Sequence, residues 1–149
     1  MAGSDTEQRN RPFGKGDNTF QAIGGEQAIN ALVKTFYQIM SSNPDYATIW
    51  SWHPQDISIS RDKLARFLCG WMGGPRRYQE KYGPINIPLV HAHLAVTARE
   101  RDMWLNCMAQ ALAQQGHDAE LVDYLMHQLA IPAERIRALS EERNAGSSL

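Results

Sequence analysis

The sequence predicts an all-α domain, and three observations carry that prediction. Apolar residues recur every three to four positions in four separate stretches, the spacing of one helix face. Thr97 and Glu100 stand in the S/T-x-x-E arrangement that opens a helix. No stretch alternates apolar and polar residues for long enough to build a strand. With 149 residues the chain has the length of one domain, enough to bury about two thirds of its unfolded surface.

Residues 1–18, MAGSDTEQRNRPFGKGDN, are polar with scattered Gly and Pro, and read as a flexible N-terminal extension. The folded domain is expected over 19–140, with a disordered tail over 141–149. Gly24-Gly25 mark a sharp turn. Ile29, Leu32, Val33, Phe36, Tyr37 and Met40 then form the stripe of an amphipathic helix, which Asn43-Pro44 ends. From Tyr46 to Pro54 the chain is aromatic without clean periodicity and reads as short helical turns. Leu64, Phe67, Leu68, Trp71 and Met72 are the next stripe, with Ser58 or Ser60 as cap and Gly73-Gly74-Pro75 as stop. Met103, Trp104, Cys107, Met108, Ala111 and Leu112 follow the Thr97–Glu100 capping box until Gly116. Asp118 can cap a last helix with the stripe Leu121, Val122, Leu125, Met126 and Leu129, which Pro132 should kink or restart.

Composition excludes several classes of function. Fifteen basic and sixteen acidic residues give a net charge of -1, without a basic cluster to track a phosphate backbone, so nucleic acid is not an expected partner. The apolar stretches fall short of the roughly 20 residues of a membrane span, and the amino terminus carries no apolar signal segment. A cytoplasmic protein is expected. Cys69 and Cys107 each lie in an apolar helical pattern, where a thiol behaves as a small hydrophobe, so neither a disulfide nor a zinc site is expected.

The chemistry-bearing candidate is His91, in Pro84-Ile85-Asn86-Ile87-Pro88-Leu89-Val90-His91-Ala92-His93-Leu94. A proline-stiffened segment has little freedom left to lose, so it can present an imidazole to a metal in one orientation. His93 is the internal competitor; a His-x-His zinc pair lacks further ligands at suitable spacing. His117 and His127 do not share a helix face and read as structural or surface residues. From periodicity alone, Tyr37 and Trp104 are core aromatics.

Taken in order, Gly24-Gly25, Phe36-Tyr37, Phe67-Leu68, Trp71-Met72-Gly73-Gly74-Pro75 with Tyr78, His91 and Glu100-Arg101-Asp102-Met103-Trp104-Leu105 resemble the truncated haemoglobins of group II over roughly residues 20–130. The W-x-G-G-P and E-R-D-x-W-L runs are the most specific pieces. The resemblance implies a two-over-two helical sandwich around haem b, with His91 as the iron ligand and Tyr37 and Trp104 in the distal pocket. His53 falls in His53-Pro54-Gln55-Asp56-Ile57, which matches the family's aromatic-Pro-x-Asp-Leu pattern and favours it over Trp50 and Trp52 as the residue at the haem edge. Ser60 falls where a larger globin carries its distal histidine, and its small size leaves ligand entry open; it can equally serve as a helix cap. Leu64, Phe67, Leu68 and Met108 become apolar walls, and Lys63 with Arg66 could reach a propionate or simply be solvated. The chain departs from the family where many relatives have Arg-His-x-Pro-Phe and it has Val90-His91-Ala92-His93-Leu94, which removes one propionate contact. Pro132 in the last helix is a second departure.

The expected function is reversible binding of dioxygen and other diatomic ligands, as in oxygen transport, with slow release because two hydrogen-bond donors address the ligand. An indole N–H can only donate, and a tyrosine hydroxyl can donate or accept. Nitric oxide or peroxide detoxification would need an external reductase, since the sequence holds no flavin or nicotinamide motif. A monomer or homodimer fits a chain of this size. Two alternatives stand beside this expectation: a haem-free helical interaction domain, and a dedicated haem peroxidase with His53 as proton carrier.

Overall fold

The computed structural model describes residues 12–87 and 91–147, with side chains through residue 143. Helix α1 (Asn18–Ile23) ends at Gly24, whose φ of 109° turns the chain directly into α2 (Gly25–Ser42). This is the sharp turn expected at Gly24-Gly25, and a left-handed φ is one that glycine adopts without a Cβ penalty. On α2 the expected stripe is buried from Ile29 to Met40, joined by Thr35. Asn43 accepts the Asp45 N–H at 3.0 Å and starts a 3-10 turn, Pro44–Tyr46, which passes into the short α3 (Ala47–Ser51). These are the helical turns expected for the aromatic segment.

Helix α4 (Ser58–Trp71) begins as predicted, but neither Ser58 nor Ser60 caps it. Ile57 occupies the cap position, and Asp56 Oδ1 accepts the Ser58 N–H at 3.0 Å. A carboxylate one residue before the cap position accepts the helix's first free donor as well as a serine would. Helix α5 (Arg77–Tyr82) was not anticipated, because six residues are too few to show a period. Helix α6 (Ala98–Gln114) carries the predicted capping box: the Thr97 side chain accepts from Arg99 N–H at 3.3 Å, and Glu100 Oε1 accepts the Thr97 N–H at 3.1 Å.

Helix α7 (Ala119–Ser147) runs unbroken through Pro132 and through the residues expected as a tail. A proline inside a helix removes one backbone donor and crowds the preceding turn, at a cost of about 3 kcal/mol. That cost is offset beyond the proline. Glu134 binds Arg101 of α6 and Arg137 of its own helix, Arg137 also binds Glu141, and Ser140 is buried against the segment before α6. The predicted restart is therefore absent.

The helices form two layers. Helix α2 packs on α4, α6 packs on α7, and the α2–α6 contact joins the pairs, a two-over-two sandwich with no strand among the described residues. Phe36, Leu32, Ile29, Met40, Leu68, Met108, Leu112 and Leu125 fill its centre. Free Cys107 donates to the Phe36 carbonyl at 3.3 Å, and burial pushes its thiol up to about 12. No described helix is long and apolar enough to cross a membrane.

Residues 12–17, read from the sequence as part of the extension, lie on this core. Phe13 meets Tyr124 of α7 at a ring-centroid distance of 5.0 Å, Gly14 N–H donates to Thr19 Oγ1 at 2.9 Å, and Phe20 N–H donates to the Met72 carbonyl at 3.0 Å. The W-x-G-G-P turn receives this strand of chain. A Cβ on Gly73 would lie 1.9 Å from the Gly16 carbonyl oxygen, so that glycine is required by the close approach of two backbones.

His117, at the turn between α6 and α7, has its Nε2 buried without a hydrogen-bond partner among the described residues. Burial lowers its pKa below the ordinary value. The unfolded chain therefore takes up this proton first as pH falls, and folding stability drops below about pH 6.5 until the folded-state pKa is passed. Thermal unfolding at pH 7.5, 6.5 and 5.5 checks this: His117→Leu is expected to flatten part of the acid-side decline seen in the wild type. Equal pH dependence in both proteins would show that His117 contributes none of it.

Candidate functional site

Four elements bring the chemistry-bearing side chains together. Helix α2 supplies Tyr37 beside the core residue Phe36, α3 leads into His53, α6 supplies Trp104, and the loop after α5 supplies His91. Phe36 links them: its ring lies 5.0 Å from Tyr37 and 5.3 Å from Trp104, in edge contacts at 69° and 64°. Tyr37 in turn meets His53 edge-on at 5.4 Å, while Trp50 stacks on the other side of His53 at 6.0 Å. Of the three residues weighed for the haem edge, His53 is the one against Tyr37.

Both histidines of this group are oriented by backbone carbonyls one helical turn upstream. His91 Nδ1 lies 2.7 Å from the Ile87 carbonyl and His53 Nδ1 lies 2.8 Å from that of Ile49. A carbonyl only accepts, so each Nδ1 carries the proton and each neutral ring keeps its Nε2 lone pair free. Burial lowers the pKa of His53, and the proximity of His91 acts in the same direction, against the two backbone carbonyls that raise it. His93, the competitor, is exposed, and His127 lies on the exposed face of α7. The stretch 88–90 lies outside the described residues.

Tyr37 is 7% exposed, and burial holds its hydroxyl well above the usual phenol range, with a smaller contribution from Cys107. It stays a protonated donor at any physiological pH. Neither that hydroxyl nor the Trp104 indole N–H has a hydrogen-bond partner among the described residues. Neither atom is itself sealed from the surface, since among the described residues the buried side-chain polar atom without a partner is His117 Nε2, so both donors stand open to a guest.

The expected walls divide in two. Leu68 and Met108 are at 0% exposure and belong to the closed core, whereas Leu64, Phe67 and Trp104 are only half-buried at its margin. Stripe positions that fail to close mark apolar surface left for another group to cover. Ser60, half-buried in the first turns of α4, adds no bulk there. Lys63 turns toward α5, its Nζ 5.3 Å from the Tyr82 ring centroid, and Arg66 donates to both oxygens of Asp62, one turn back on α4, at 2.9 and 3.0 Å. Asp62 also accepts from Lys81 and Tyr82, so this cluster absorbs the cations considered for a propionate. Arg66–Asp62 is an i,i+4 pair within α4, whereas no period could have shown the contacts of Lys63 and Asp62 with Tyr82 and Lys81, nearly twenty residues away.

A two-over-two helical sandwich with an oriented histidine, aromatic donors and half-open apolar walls defines a truncated globin. These residues fit haem: a free imidazole Nε2 on a fixed ring, unpartnered donors and an apolar margin match a flat, largely apolar iron-bearing group. The model of the bacterial-like globin family matches residues 18–138. The chain belongs to that family, as a truncated haemoglobin of group II. It is 30% identical over 128 residues to the group 2 truncated haemoglobin YjbI of Bacillus subtilis, covering 86% of this chain and 94% of that one. Among solved structures it is similar to the group II 2-on-2 haemoglobin of Agrobacterium tumefaciens, at 29% identity and a TM-score of 0.77 over 86% of this chain and 95% of the other. The truncated oxygen-avid haemoglobin of Bacillus subtilis gives 30% identity and a TM-score of 0.71 over 79% and 97%.

Proposed function

We propose that this protein holds haem b through His91 and reversibly binds dioxygen and other diatomic ligands, with Tyr37 and Trp104 donating to the bound guest. The observation that carries the reading is the 2.7 Å hydrogen bond from His91 Nδ1 to the Ile87 carbonyl, which leaves Nε2 as the available ligand atom. Membership of the globin family implies haem and oxygen binding, and the similar protein from Bacillus subtilis is described as oxygen-avid. When bound, haem supplies a ferrous iron with one coordination position open to a diatomic molecule.

The chain's own residues shape that position. Tyr37 and Trp104 present two donors inside a mostly apolar margin, where a hydrogen bond to a partly anionic guest is stronger than in water. Phe36 packs edge-on against both rings and so gives the two donors a common support in the core. His53, with Nδ1 committed to Ile49, closes the edge beside Tyr37 and stays largely neutral near pH 7. Ser60 leaves the approach along α4 unobstructed.

A hydrogen bond of this kind contributes about 1–1.5 kcal/mol. Tyr37→Phe and Trp104→Phe are each expected to raise the dioxygen dissociation rate about tenfold. Stopped-flow displacement by carbon monoxide measures it, and rates unchanged in both variants would remove the two-donor reading. Redox chemistry on nitric oxide or peroxide at this site would draw electrons from a separate reductase in the cytoplasm.

A further inference from the structure

Ser140 is a serine at 1% exposure in the second half of α7, far from the aromatic cluster in sequence and unused by the reading above. Its hydroxyl is engaged twice. Oγ accepts the Val96 N–H at 2.8 Å and donates to the Leu94 carbonyl at 3.2 Å. Arg143, one turn later, donates to the same Leu94 carbonyl at 3.4 Å. Leu94 N–H closes a turn back onto the His91 carbonyl at 3.0 Å, and Thr97, next after Val96, is the cap of α6. One buried hydroxyl therefore holds the short segment between His91 and the helix that carries Trp104.

We infer that Ser140 is a positioning residue for His91: α7 fixes the turn His91–Leu94 and so sets the placement of the imidazole relative to α6. The inference rests on the reading of His91 as the iron ligand. Its physical basis is that the segment His91–Val96 forms no regular helix of its own, so its peptide groups need partners from elsewhere. Ser140 supplies one acceptor and one donor there, and the bond it accepts from Val96 is shielded from water, where loss of a partner is felt in full. The ion pair of Glu134 with Arg101 keeps this half of α7 seated on α6 beyond Pro132, so the hydroxyl arrives on a fixed support. A serine within a helix stripe carries no sequence signal for this role, since its partners lie more than forty residues upstream.

The test compares wild type, Ser140→Ala and Ser140→Thr, each loaded with haem, with Arg137→Ala as a control that weakens α7 but keeps the hydroxyl. The readouts are the iron–histidine stretching band of the ferrous protein, haem transfer to an acceptor apoglobin, and amide exchange over residues 94–97. In Ser140→Ala the band is expected to shift or broaden, with haem transfer and exchange at Val96 each about tenfold faster. Ser140→Thr, which keeps the hydroxyl, should restore the band, and Arg137→Ala should leave it in place. An unchanged band and an unchanged transfer rate in Ser140→Ala overturn the inference, even where its melting temperature falls. His91→Ala run alongside separates the two ideas: a wild-type band in that variant sinks the ligand assignment itself, whereas a lost band there with no effect of Ser140→Ala sinks only the positioning role.

Discussion

Replacing His91 by alanine is expected to abolish the histidine-ligated Soret spectrum and to weaken haem retention by more than about 100-fold. Outer partners of metal-bound histidines alone change metal affinity by 10–100-fold, and removal of the ligand itself must exceed that. The sharp comparison is with His93→Ala. His93 is exposed, whereas His91 is half-buried with its ring fixed by the Ile87 carbonyl, so only the first substitution should alter the ferric, ferrous and carbonyl spectra. A normal histidine-ligated spectrum in His91→Ala that disappears in His93→Ala would transfer the role to the neighbour. A colourless wild type would favour the helical interaction domain instead.

The second large effect is one of stability. Gly73→Ala is expected to destabilise the fold by about 3 kcal/mol or more and to lower the melting temperature by about 10 °C. Two costs add there. Gly73 has a φ of 92°, where an L side chain is strained, and its new Cβ would overlap the backbone of Gly16 at 1.9 Å. Because the obstructing atom is a carbonyl oxygen and not a mobile side-chain end, relief requires lifting the segment around Gly16 off the core, with Phe13 leaving Tyr124. Gly116→Ala provides the control: its φ is 76° but nothing lies within 4 Å of the new Cβ. It should show the conformational cost alone, about 1–2 kcal/mol. Chemical denaturation of both variants decides the matter, and equal losses would mean that residues 12–17 contribute nothing to the fold.

The two variants also show where sequence patterns stop. The W-x-G-G-P run was visible as a helix stop and as a family landmark, but its glycine requirement comes from a strand of chain more than fifty residues upstream. Lys63 and Arg66 were legible as a charged face of α4. Asp62 holds Arg66 as an i,i+4 pair within α4, but that Tyr82 meets Lys63 and Asp62 follows only from the placement of α5, which was too short to be seen. The start of α4 shows the same limit on a smaller scale, since Ser58 and Ser60 are competent cap residues, yet Ile57 takes the cap position and Asp56 accepts the Ser58 N–H.

What the sequence determined by itself is whatever a single helix face or cap encodes: the stripe from Ile29 to Met40, the Thr97–Glu100 box, the stripe from Met103 to Leu112 and the all-α class. Those follow from a fixed period of 3.6 residues, which needs no neighbour to be read. The family resemblance added the candidate residues and their expected roles, but not the contacts among them. The tertiary structure alone decided that Tyr37 and Trp104 both meet Phe36, that His53 lies against Tyr37, that His91 rather than His93 is fixed by a carbonyl, that α7 continues past Pro132 and that Ser140 reaches back to Val96. Each of these depends on packing between segments far apart in the chain, where the stabilisation comes from which surfaces meet, and a local pattern carries no record of that choice.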